Sequence, residues 1–208
     1  MILSGTGAWN AHHASCKLLD RGVRGLVSWG SAGALTDTLK AGDLILPERI
    51  LGATGDRYQT DTRWRDRLAD ALMQELSLSG GDLLEGLRPI THPDDKKALY
   101  SATAAVAVDM ESAAIAAVAR HADVPFMAIR AVADTAAMTL PRCISHSVDT
   151  RGRLSMPKLL SHAVFRPDEW RELKQLGTAF KAADQALRTV SERAVGHRFF
   201  FSSPLTDA

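Results

Sequence analysis

The chain has 208 residues, 46% of them apolar and 6% aromatic, which supplies one sizeable domain with a core of Ala, Leu, Val and Ile. A formal net charge of +1 lacks the basic excess that phosphate backbones require, so nucleic acid is excluded as the main partner. Cys16 and Cys143 are too few for a disulfide framework and read as reduced thiols of a cytosolic protein.

Met1 to Gly7 has neither a basic leader nor a long apolar stretch. A stub of strand is expected at Ile2-Leu3, followed by the glycine pair Ser4-Gly5-Thr6-Gly7. Val23 to Trp29 reads as a strand, and Gly30-Ser31-Ala32-Gly33 as the turn that follows it. Asp43 to Ile50 reads as a second strand. Trp64, Leu68, Leu72 and Leu76 recur every four residues, which predicts a helix over 62–78. Asp82 to Ile90 reads as a strand. Pro93 opens a helix to about Thr103, with Asp94 and Asp95 favourable at its N-terminus. Ala105 to Val108 is a short strand, Glu111 to His121 an Ala-rich helix, and Phe126 to Val132 an apolar run typical of a strand covered on both faces. Loop residues collect between Ala136 and Pro157. A long helix runs from Pro167 to about Val195, with Trp170, Leu173, Leu176, Phe180, Ala183, Leu187 and Val190 as its apolar positions. The alternation predicts an α/β fold with a central, mostly parallel or mixed sheet flanked by helices. One domain is expected over 1–208, with a helical C-terminal segment at 153–196 and a tail at 197–208.

Four features can carry chemistry. Gly30-Ser31-Ala32-Gly33 exposes backbone N–H groups and adds a hydroxyl, which suits an anion or a polarised water. Gly5 and Gly7 do the same more weakly, because Asn10 stands where a dinucleotide fingerprint needs its third glycine. Asp109-Met110-Glu111 lies between a strand and a helix, at the expected carboxyl edge of the sheet. A carboxylate there accepts two hydrogen bonds from the vicinal hydroxyls of a ribose, although Glu111 alone reads equally well as a partner of the helix dipole. Arg130 sits inside a buried strand and requires a partner such as Glu111. Asp134, just beyond, is either a proton-donating acid with a raised pKa or the N-cap of a short helix at 135–138. The seven histidines have no metal-ligand spacing, so no metal is expected.

Together, SGTGAWNA (4–11), GVRGLVSWGSAGALTDTLKAGDLILPERI (22–50), VDMESAAIAAVARHADVPF (108–126) and IRAVAD (129–134) resemble the purine nucleoside phosphorylase and methylthioadenosine/S-adenosylhomocysteine nucleosidase superfamily. The resemblance implies a three-layer phosphorylase-type fold that cleaves the N-glycosidic bond of a purine nucleoside. It implies that Glu111 binds the ribose hydroxyls, with Met110 packed on the sugar. Asp134 would hydrogen-bond N7 and protonate the departing base, with Asp109 in the purine region. Gly5, Ser31 and Gly33 would line the site of phosphate or water, and Arg130 would order that nucleophile and Glu111. No organic cofactor is implied, inorganic phosphate being a candidate co-substrate. The resemblance also implies a homo-oligomer such as a dimer.

Leu140-Pro141 and the stretch at 149–188 resemble the hopanoid-associated branch, which removes adenine from adenosylhopane. That implies an apolar groove including Leu154, Met156, Leu159, Leu160, Val164, Phe165 and Trp170. Lys158, Arg166, Arg171 and Lys174 would face anionic headgroups, at the periphery of the inner membrane. The alternatives are a methylthioadenosine/S-adenosylhomocysteine nucleosidase, a general purine nucleoside phosphorylase, and an inactive nucleoside-binding protein. In the family a strand and a nucleophile-site group precede the segment matched by Ser4–Gly7, and their counterparts are expected upstream of Met1. Ser28 stands where bacterial phosphorylases carry Arg, and 91–95 stands where the nucleosidases hold the purine.

Overall fold

The computed structural model describes residues 1–5, 7–141 and 170–197. The strands are β1 (Leu26–Ala34), β2 (Leu44–Ile45), β3 (Arg49–Leu51), β4 (Arg57–Gln59), β5 (Leu78–Ser79), β6 (Asp82–Glu85), β7 (Ala107–Asp109) and β8 (Phe126–Asp134). The helices are α1 (Ala8–Leu19), α2 (Thr62–Leu72), α3 (Pro93–Thr103), α4 (Ser112–His121) and α5 (Trp170–His197).

The eight strands form one sheet in the order β4-β3-β6-β7-β1-β8-β2-β5. It is mixed: β1 runs parallel to β8 but antiparallel to β7, and β2 runs antiparallel to β8. The expected α/β architecture is therefore present. Helices α1 and α4 cover one face, where Ala113, Ala116 and Ala119 pack with Leu26, Ala32, Phe126, Ala128 and Val132. Helices α2 and α5 cover the other, where Leu68, Leu72, Ala183, Ala186 and Val190 pack with Met127, Ile129, Ala131 and Ala133. Strand β8 is thus covered on both sides, as its apolar run requires.

Several expectations are corrected. Ile2-Leu3 is not a strand, and Met1 and Leu3 are exposed. The stretch 43–50 is two strands rather than one, because Pro47 lacks the N–H that a continuous ladder needs. Helix α2 stops at Leu72, although Leu76 still packs with its stripe. On α5 the buried stripe is Leu176, Ala179, Ala183, Ala186, Val190 and Ala194, and Phe180 is exposed. Its small residues let the helix approach closely: a Cβ on Gly42 would lie 3.2 Å from the Cβ of Ala182. The Ala136–Pro157 loop is described only to Pro141, and the tail from 198 onward lies outside the described residues. No helix among the described residues is long and apolar enough to cross a membrane.

Candidate active site

Gly30 to Gly33 is not a turn. It is the second half of β1. The glycines are there because side chains from β8 fold across them. A Cβ on Gly30 would collide with Nη1 of Arg130, and one on Gly33 would sit 3.0 Å from both oxygens of Asp134. Arg130 pairs in register with Gly30 and Asp134 with Gly33, across a shift in the ladder at Ala32/Gly33. Such an irregularity re-aims side chains. Arg130 points to the α4 side, and Asp134 turns toward α3.

On the α4 side a polar cage is built around Arg130, which is 3% exposed. Its Nη2 lies 2.5 Å from Asp109 Oδ2, donates to Ser28 Oγ at 2.6 Å and to Ser112 Oγ at 3.0 Å, and lies 3.8 Å from Glu111 Oε2. Ser112 in turn donates its hydroxyl and backbone N–H to Asp109. A buried guanidinium costs several kcal/mol unless it is paired, and Asp109 is the pair. The Asp109 carboxylate is buried and spent on this strut, so the structure does not open it toward a purine.

Glu111 is the N-cap residue of α4, yet its side chain makes no capping bond. It accepts instead from the backbone N–H of Gly7 at 2.7 Å. Burial pushes its carboxyl above the usual range, Arg130 and the Gly7 N–H act the other way, and nearby Asp109 adds to the rise. Gly7, with φ 97°, begins α1 and is the member of the first glycine pair that touches this carboxylate. Gly5 is exposed. Met110 is half-buried in the bend between β7 and α4. Because β7 is antiparallel to β1, Glu111 and Asp134 do not share one carboxyl edge. They flank the glycine-bearing half of β1 from its two sides.

On the α3 side, Asp134 is not an N-cap, since residues 135–138 form a turn rather than a helix. Its Oδ2 accepts from Lys96 Nζ at 2.5 Å. Burial raises the Asp134 carboxyl, and the charge and hydrogen bond of Lys96 oppose that rise. Lys96 is not among the residues that the sequence motifs single out. In sequence the pair Lys96-Lys97 resembles a solvated face, but Lys96, Leu99 and Thr103 fall on one inward stripe at helical spacing, and a cation on such a stripe was the available signal. Ser31, by alternation along β1, lies with Val27 and Trp29 and opposite Ser28, so it does not join the Arg130 cage.

Residues 1–149 match the sequence profile described as the phosphorylase superfamily. The 5'-methylthioadenosine/S-adenosylhomocysteine nucleosidase of Listeria innocua is 32% identical over 164 residues, covering 65% of this chain and 68% of that one. A crystal structure of the same type of nucleosidase from Colwellia psychrerythraea, in complex with adenine, is 26% identical with a TM-score of 0.59, and 64% of each chain is covered. The Neisseria meningitidis nucleosidase in complex with methylthio-immucillin-A has a TM-score of 0.70 over 94% of this chain and 79% of that one, and at 21% identity it speaks to the fold alone.

Proposed function

The chain belongs to the phosphorylase superfamily, and from that premise we propose that it is a nucleosidase hydrolysing the N-glycosidic bond of an adenosine-type nucleoside. Its relatives are nucleosidases. The observation that carries the reading is the pair of carboxyls, Glu111 and Asp134, both raised by burial and set on either side of the β1 glycines. Breaking the bond to a ribosyl carbon leaves an oxocarbenium-like sugar and a purine that gains electrons. Glu111, tethered by Gly7, accepts the ribose hydroxyls and places negative charge near the cationic sugar, with Met110 against the ring. Asp134 carries the proton to the base. Its burial favours the protonated form that such a donor needs.

Water is favoured over phosphate as the nucleophile. The charge of Arg130 is already matched by Asp109, with Glu111 beside it, which leaves that cation little to offer a phosphate dianion. Methylthioadenosine or S-adenosylhomocysteine is the favoured substrate because the relatives act in that class. The adenosylhopane alternative rests on the sequence likeness over 149–188. Its groove, Leu154 to Phe165, lies outside the described residues, as do Lys158 and Arg166, while Arg171 and Lys174 are exposed on α5. The test is chromatographic detection of adenine after incubation with methylthioadenosine, S-adenosylhomocysteine and adenosine in phosphate-free buffer. Release from the first two is expected. Release only after inorganic phosphate is added would replace the hydrolase with a phosphorylase. No release with or without phosphate, with tight binding retained, would replace the enzyme with a nucleoside-binding protein.

A further inference from the structure

A lysine with no exposed surface is rare, because taking an ammonium out of water costs several kcal/mol unless its donors are all met. Lys96 meets all three: Asp134 Oδ2 at 2.5 Å, the Thr135 carbonyl at 2.7 Å and the Met138 carbonyl at 3.2 Å. One acceptor is the last residue of β8 and the other two come from the short stretch that follows it. A further bond, from the Leu140 N–H to the Thr91 carbonyl at 2.9 Å, ties the same stretch to the segment ahead of α3. Among the described residues Lys96 is the donor to the Asp134 carboxyl, and it occupies one oxygen, Oδ2. The other charged groups of the site, Arg130, Asp109 and Glu111, form their own set on the α4 side. From β1, Gly33 faces the Asp134 carboxyl.

We propose that Lys96 is the positioning residue of the leaving-group acid: from α3 it aims the Asp134 carboxyl at the departing base and fixes the 134–138 turn around it. This rests on the role given to Asp134 above. A stabilising strut alone does not call for a cation, since a well-packed apolar residue serves as well or better in a buried position. What the cation adds is a defined carboxyl orientation and a check on the burial-driven rise of the Asp134 pKa. Misplacing a reacting group by about 1 Å costs on the order of 100-fold in rate.

The test compares wild type, Lys96→Met, Asp134→Asn and the double variant, following adenine release from methylthioadenosine across pH. Lys96→Met should lower kcat by roughly 100-fold with a much smaller change in KM. Its high-pH limb in kcat/KM should move upward, because the charge that holds the Asp134 pKa down is gone. In the Asp134→Asn background Lys96→Met should change kcat by less than about 3-fold, since coupled residues are not additive. An unmoved limb, or an equal loss in both backgrounds, overturns the proposal. The comparison within the Asn background removes both members of the pair and decides the matter even if Lys96→Met alone does not fold. Failure of wild type to release adenine would instead overturn the reading of Asp134, so the two failures are distinguishable.

Discussion

Asp134→Asn should slow purine release by about 100- to 10,000-fold, the range that one positioned acid contributes. The amide is nearly the same size, can still lie over Gly33 and can turn its oxygen to Lys96. Folding is checked alongside activity, because that buried ammonium loses its counter-charge. The amide has no acidic proton to give as the glycosidic bond breaks. The pH profile carries the same information. Activity that needs protonated Asp134 is lost as pH rises past its raised value, and activity that needs ionised Glu111 is lost as pH falls past its own raised value. The wild-type kcat/KM profile should therefore be a bell whose limbs both lie above those of free carboxylic acids. The Asn variant should lose the high-pH limb. Near-normal rates in Asp134→Asn, measured by adenine absorbance after separation, would remove Asp134 from the chemistry.

Arg130→Met should cost about 3–5 kcal/mol of stability, because it strands a buried charge. The Asp109 carboxylate is 1% exposed and would lose its ion pair, and the Ser28 and Ser112 hydroxyls would lose a donor. Arg130→Lys should not rescue it, since Asp109, Ser28 and Ser112 are all met by the terminal Nη2, and the shorter lysine side chain does not carry its ammonium that far. Replacing Asp109 as well, in Arg130→Met/Asp109→Leu, should recover much of the loss because the most deeply buried charge is no longer stranded. Urea unfolding reads all three. A double variant no more stable than Arg130→Met would show that the cage is not held by this pair.

What was legible in the sequence divides along physical lines. β8 could be read because burial on both faces leaves an unbroken apolar run, and α3 because Pro93 marks a first turn. Helix α1 leaves no apolar stripe in the sequence because its fully buried residues, Ala11, Ala14 and Ser15, are small. Strands β4 and β5 are two or three residues long and leave no periodicity. In sequence Gly30 and Gly33 read as a turn because glycine usually punctuates, whereas here it clears space for Arg130 and Asp134 on the neighbouring strand. That reason is visible only once the register is known. The site was half legible. Arg130 as a buried cation demanded a partner, but the sequence nominated Glu111, and the tight pair is Asp109. Lys96 required knowing which face of α3 points inward.

The central claim is that Glu111 and Asp134 serve hydrolysis of a purine N-glycosidic bond, and the sugar product tests it most directly. The reaction should be run on methylthioadenosine in 18O-labelled water with inorganic phosphate present, and the sugar analysed by mass spectrometry. The account predicts free methylthioribose carrying one 18O atom at its anomeric carbon, with adenine released in equal amount. A sugar 1-phosphate with no label from water would contradict it.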